Sequence, residues 1–415
     1  MTNVFFLVRA YNDFDCRLPL MLEFSKDSNY CVNVIVYPTN KGINYINSHN
    51  LYNYAQDHGI TIKTIFDFNN FFLLKILSRF YFFIRDSESK NSLFINRFRS
   101  YLARKIFASI SLLSKRNSFF FTEIFLAFKG SIIVIDEIVF TGKRSFFVDE
   151  LRDYWKRNLN FYLCSFVTGQ NIFLNLNNPL HVSSDNLGEE LDIPLFVPGP
   201  NDQKLWQLKY PKQNIEIVGN TRFDSFWIQT LNGIYNHSLS INESGNKTIK
   251  IVFMLSKLEY GVNSEEIINS INACSMMDNV IVIVKPHTRG MKLEDLTCKI
   301  NDKVIDGSQY SSSDLINWAN YVTFTGSSIV FHAILSHKFV IYLKYCHIFE
   351  TIFDSIDKKF IANNLDELLL IIKNHKEAVN YDRNFISIQI HNKNLSGNIC
   401  NNIKNKIILK SNKYL

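Results

Sequence analysis

The strongest constraint on the fold is the stretch "NWANYVTFTGSSIVFHAILSHKFVIYLKY", residues 317–345. An apolar run stops at Gly326, two serines follow, a helix-period pattern begins at once, and a second apolar run closes the unit. Two short apolar runs separated by one helix read as parallel neighbours, because parallel strands need a crossover and are buried on both faces. The same alternation recurs along the second half. "IKIVFML" precedes a helix over 264–275, "NVIVIVKPH" ends in Lys-Pro-His, and "KVIDG" leads into "SSSDLINWAN", a helix capped by Ser312 or Ser313.

The first half opens in the same way. "NVFFLVRA" reads as a strand, "DCRLPLMLEFSKD" as a helix and "CVNVIVYP" as a strand. A helical stretch near 41–58 leads to "ITIKTIFDF", and further strands are expected at 131–135, 161–167 and 193–200. The fold class is therefore α/β. A chain of 415 residues suits two domains. The expected boundaries are 1–210, 211–375, and a C-terminal segment 376–415 returning to the first domain. A polar, Asn/Ser/Gly-rich linker at 236–248 reads as a loop between structural units.

Composition excludes several classes. The net charge of +7 does not by itself imply nucleic acid, and no basic block is interleaved with aromatics at single-strand-binding spacing. Seven cysteines lie scattered, without a CxxC pair or zinc spacing, which fits reduced thiols in a cytosol. The start "MTNVFFLVRAYNDFD" reads as a first strand, not a signal peptide. No window holds about 18 uncharged apolar residues, so no transmembrane helix is expected. Residues 68–129 are aromatic and basic. They suit either a helical face packed on the first sheet or a peripheral contact with anionic lipid at the inner membrane.

Ligands in such sheets bind beyond the carboxyl ends of the strands. Gly326, Ser327 and Ser328 stand there as a phosphate site at a helix start, or as a plain serine cap. Lys285, His287 and Arg289 put three cationic or donor groups at a strand exit stiffened by Pro286, suited to a diphosphate or a sugar carboxylate. Ser256 and Lys257 follow another strand. In "IVGNTRFDSFW", Asn220 and Arg222 sit in a turn, and Asp224 is either an active-site carboxylate or a helix cap paired with Arg222. Asp136 and Glu137 end an apolar strand, where a carboxylate beside apolar walls has a raised pKa and can act as an acid. Asp13 and Asp15 read as an exposed, acceptor-side pair. His332 reads as packing, and His347 as a residue within reach of the cleft.

The ordered set "GNTRFD", "VKPHTRG" and the 311–345 stretch resembles bacterial surface-polysaccharide glycosyltransferases of the GT-B type, over about residues 130–355. It is most similar to those using CMP-activated ulosonic acids, notably the retaining β-Kdo transferases. It is also similar to bacterial sialyltransferases and CDP-glycerol glycerophosphotransferases. Where that family has Lys-Pro-His-Pro this chain has Lys-Pro-His-Thr. The resemblance implies two Rossmann-like domains facing a central cleft, acceptor on the N-terminal side and nucleotide on the C-terminal side. It implies no metal and no cofactor beyond a CMP-Kdo donor, a glycan or lipid-linked acceptor, and a cytoplasmic location. Asp224 would be the nucleophile and Glu137 the acid/base. Gly326, Ser327, Ser328, His287 and Lys285 would hold the phosphate. Ser256, Lys257, Arg289, Asn220 and Arg222 would hold the sugar. A non-catalytic subunit of a polysaccharide assembly complex is the alternative from another class.

Overall fold

The computed structural model describes residues 1–9, 11–37, 50–68, 101–102, 105, 122–140, 146–158, 160–174, 190–235, 239, 248–256, 261–287, 293, 299–374, 379–390 and 398–414. Two separate parallel sheets organise it. The first comprises β1 (Thr2–Val8), β2 (Tyr30–Val36), β3 (Thr61–Thr64), β4 (Ile132–Asp136), β5 (Tyr162–Phe166), β6 (Leu195–Val197) and β7 (Ile215–Ile217). Its order is β3-β2-β1-β4-β5-β6-β7. The second comprises β8 (Ile249–Met254), β9 (Val280–Lys285), β10 (Ile305–Asp306), β11 (Tyr321–Phe324), β12 (Phe339–Leu343) and β13 (Ile361–Ala362), in the order β10-β9-β8-β11-β12-β13.

These sequences form central strands because β4, β5, β11 and β12 are buried along their whole length. A residue buried on either face must be apolar, which removes the in–out alternation of a half-wet strand. Both sheets reverse direction once, between β1 and β4 and between β8 and β11. At such a reversal the crossovers leave in opposite directions and open a crevice at the carboxyl edge. Both sheets are doubly wound, and the GT-B architecture is what they form together.

Two details depart from the sequence reading. Strand β7 pairs with β6, so the first sheet runs past residue 210. The helix Ser312–Trp318 is capped by Ser311, whose hydroxyl accepts from the Asp314 N–H. At the C-terminus the helix Ile399–Ser411 packs on the helix Tyr11–Ser25, and Ile399, Ile403 and Ile407 join the core of the first sheet. Among the described residues no helix is long and apolar enough to cross a membrane. Most of the 68–129 segment lies outside the described residues, as does most of the 236–248 loop.

Candidate active site at two sheet reversals

At the reversal of the first sheet, Arg9 leaves β1 and Asp136 ends β4. Their side chains form an ion pair across the crevice. Asp136 is fully buried and also accepts from the Tyr37 hydroxyl at 3.0 Å. Asp13 accepts from the Arg9 N–H at 3.1 Å and sits 3.7 Å from its guanidinium. Burial pushes the Asp136 carboxyl up against the pull of Arg9, and neighbouring Asp13 and Glu137 add to the push. Glu137, half-buried, accepts from the Thr168 N–H at 2.8 Å. Its pKa is raised, again chiefly by burial.

At the reversal of the second sheet, buried Ser256 follows β8, and its hydroxyl oxygen accepts from the Gly326 N–H at 3.0 Å and from Thr325 at 3.1 Å. Ser256 thereby fixes the turn after β11. Space at Gly326 is tight: a Cβ there would lie 3.3 Å from His347 Nε2 and 3.4 Å from Ile172 Cδ1. The helix begins later than the sequence suggests. Successive turns join Val330 N–H to the Ser327 carbonyl and Phe331 N–H to the Ser328 carbonyl, and the helix itself is Val330–Leu335. Ser327 and Ser328 thus lead into it, and the backbone N–H groups before Val330 precede the first turn that could take them up.

The expected phosphate and sugar ligands divide. Lys285 is engaged elsewhere: its ammonium donates to the carbonyls of Gly307, Ser308 and Tyr310 at 2.5–3.2 Å, holding the loop after β10. His287 lies half-buried at the exit of β9. Lys257 and Arg289 lie outside the described residues. Asn220 ties the turn after β7, accepting from the Arg222 N–H and donating to Gln170 at 3.3 Å. With Thr221 it also lines a small recess against Cys16, Arg17, Val197 and Pro198. Arg222 pairs with Asp15 at 2.9 Å, not with Asp224.

Asp224, expected as the nucleophile, sits in the structure as a helix cap. It is buried, and one oxygen accepts from the Phe226 N–H at 2.9 Å at the start of the helix Ser225–Ile234. The other accepts from the Cys400 N–H at 2.9 Å in the first turn of the C-terminal helix. Both carboxylate oxygens bind backbone, and both helix ends need them. His332 is packing: it is buried, it contacts Asn232 at 3.1 Å, and its pKa falls to about 3 through burial and the charge of Arg222.

One connection was invisible in the sequence. Residues 168–174 leave β5 and cross to the second domain. Ile172 accepts from the Ile352 N–H at 2.8 Å and Leu174 donates to Glu350 at 2.9 Å. Phe173 pairs with Thr351 and stacks on His347 at 5.3 Å. This strap begins at the N–H that holds Glu137 and ends against Gly326 and His347. Among the described residues no group of three or more His, Cys, Asp or Glu side chains is arranged to hold a metal.

A parallel double-sheet chain with paired crevices is a protein of the GT-B fold, and comparison with solved structures agrees. The chain is similar over 98% of its length to a putative UDP-N-acetylglucosamine 2-epimerase from Listeria monocytogenes, with TM-score 0.52, 11% identity and 96% of that chain covered. It is similar over 99% to the N-terminal domain of Candida albicans trehalose-6-phosphate phosphatase, with TM-score 0.51, 10% identity and 97% of that chain covered. The S. aureus MnaA–UDP structure matches over 100% of this chain and 98% of its own, with TM-score 0.50 and 11% identity. At these identities the likeness is one of fold. No protein-family model matches the chain, and no curated protein matches it in sequence.

Proposed function

We propose that this protein is a glycosyltransferase that moves an ulosonic acid, Kdo first among them, from a CMP-sugar to a surface-glycan acceptor. The observation that carries the reading is the strap. It runs from the N–H that holds Glu137 at one sheet reversal to the neighbourhood of the Gly326 turn at the other, which supports reading the two as parts of one site. Similarity to structures described as a putative UDP-N-acetylglucosamine 2-epimerase and a UDP complex supports a nucleotide-sugar ligand at this fold. The choice of CMP and of Kdo rests on the motif resemblance.

In this reading Glu137 is the general base. Its pKa, raised chiefly by burial, makes it a better proton acceptor than an exposed carboxylate. It takes the proton of an acceptor hydroxyl as that oxygen bonds to the anomeric carbon. The bond from that carbon to the CMP oxygen breaks, and CMP leaves with the electron pair. The N–H groups around Ser327 and Ser328, their hydroxyls, and His287 receive the leaving phosphate's charge. The sugar carboxylate falls to Arg289 and Lys257. With Asp224 serving as a cap, the reading is a single displacement with one base, which inverts the anomeric centre, in place of the retaining route that the motif resemblance implies. The acceptor, glycan or lipid-linked, lies on the Arg9–Asp136 side, at the cytoplasmic face of the inner membrane.

Calorimetry with CMP, CDP, UDP and GDP tests the donor. Selective binding of CMP, followed by Kdo transfer that Glu137→Gln abolishes, is expected. Preference for CDP would instead indicate a polyol-phosphate transferase. UDP or GDP would overturn the donor, and absence of binding would leave a scaffold subunit.

A further inference from the structure

The strap does not hold itself. The helix Pro200–Lys209 begins after Gly199 with a proline at its first position, and it sends two buried side chains from its first turn into the strap. Asn201 donates through its amide to the Asn171 carbonyl at 3.0 Å and to the Phe173 carbonyl at 2.7 Å. Asp202, 1% exposed, accepts from the Asn171 N–H at 2.8 Å through Oδ1. Its Oδ2 is buried and has no hydrogen-bond partner among the described residues. The Gln170 amide donates to the Gln389 carbonyl close by, on the side of Gly199 that Oδ2 also approaches.

We propose that Asp202 is a positioning residue: with Asn201 it clasps residues 170–173, and through them sets the distance between Glu137 and the Gly326 turn. As a statement about catalysis this rests on the glycosyltransferase reading; as a statement about the strap it does not. The geometry is direct. Asn171 lies three residues after Thr168, whose N–H holds Glu137, and one before Ile172, whose Cδ1 would lie 3.4 Å from a Cβ at Gly326. A shift of the strap moves both ends of the proposed site at once.

The clasp has a protonation requirement. Burial raises Asp202 to about 8, the backbone N–H groups of Asn171, of Asp202 itself and of Gly199 oppose this, and the charged side chain that adds to the rise is Glu137. At neutral pH Asp202 is a neutral acid that accepts from Asn171 and leaves no charge in a dry site. An opened strap exposes this carboxyl, which then ionises well below pH 8, so rising pH favours opening until about pH 8, where the closed strap ionises too and the effect is complete. The sign follows from linkage: a carboxyl raised in the folded state stabilises that state at low pH and loses the effect as pH climbs to its folded pKa.

Hydrogen exchange on the intact protein from pH 6.5 to 9.5, corrected for intrinsic rates, tests this without any substrate. Protection of the Asn171 and Leu174 amides is expected to fall from pH 6.5 to about 8, by up to about tenfold per pH unit, and then to level off. In Asp202→Asn the amide oxygen still accepts from Asn171 and no charge forms, so protection should stay level. Flat protection in the unsubstituted protein, or the same fall in Asp202→Asn, overturns the clasp. Once transfer is assayed, Asp202→Ala should lower kcat with nucleotide affinity retained, and Asp202→Asn should restore it while removing the alkaline limb of kcat. Equal loss in both variants overturns the positioning role. Strap behaviour as expected in a protein that transfers no sugar would sink the glycosyltransferase reading and leave the clasp standing.

Discussion

Removing Asp224 separates the two roles that a carboxylate in "RFD" can have. In Asp224→Ala the helix Ser225–Ile234 loses its cap, worth about 1 kcal/mol. The Cys400 N–H, buried in the first turn of the C-terminal helix, loses its acceptor, which costs about 1–3 kcal/mol. The expected loss is thus about 3 kcal/mol. With an unfolding entropy of about 2.1 cal/mol/K per residue over 415 residues, one cooperative unit would melt about 3–4 °C lower. If the domain that receives the C-terminal helix melts alone, as roughly half the chain, the shift is about 7 °C. Asp224→Asn should fall between, because one oxygen remains for Phe226 while the amide nitrogen opposes Cys400. Scanning calorimetry gives the shift, and CMP titration below the transition should show unchanged affinity per folded molecule. An unchanged melting curve together with abolished transfer would refute the capping account and return Asp224 to the chemistry.

Lys285→Met should lower stability by about 1–2 kcal/mol, read from urea unfolding, because three carbonyls after β10 lose their donor; CMP affinity should barely change. A loss of CMP binding with intact stability would restore Lys285 to the phosphate site. Gly326→Ala places a methyl 3.3 Å from His347 and 3.4 Å from Ile172, so calorimetry should find nucleotide binding weakened and stability reduced by about 1–3 kcal/mol. His332, held neutral with a folded pKa of about 3, contributes stability that is complete above its unfolded pKa of about 6.5 and is lost as pH falls toward 3. The slope is up to about 1.4 kcal/mol per pH unit, and His332→Gln should flatten the acid limb of the urea midpoint.

The sequence by itself determined the α/β class and the carboxyl ends at which to look. Apolar runs such as Ile132–Ile135 and Tyr321–Phe324 must be buried on both faces, and that requirement is written in residue type and spacing. It also marked Glu137, Gly326 and His332 by their place after a strand or inside a helix. Tertiary structure alone decided which polar groups were left for chemistry. Ser256, Lys285 and Asp224 look like ligands in a linear reading because each follows a strand or opens a helix. Each is taken up by backbone groups far away in the chain: Gly326, Gly307 and Cys400. A pattern of neighbours cannot report partners that distant, since which carbonyl or N–H lacks a partner depends on how the two sheets and the returning helix pack. The same holds for Asn201 and Asp202. Their sequence, Gly-Pro-Asn-Asp, announces a helix start, but only the crossing of residues 168–174 over that helix turns a start signal into a clasp.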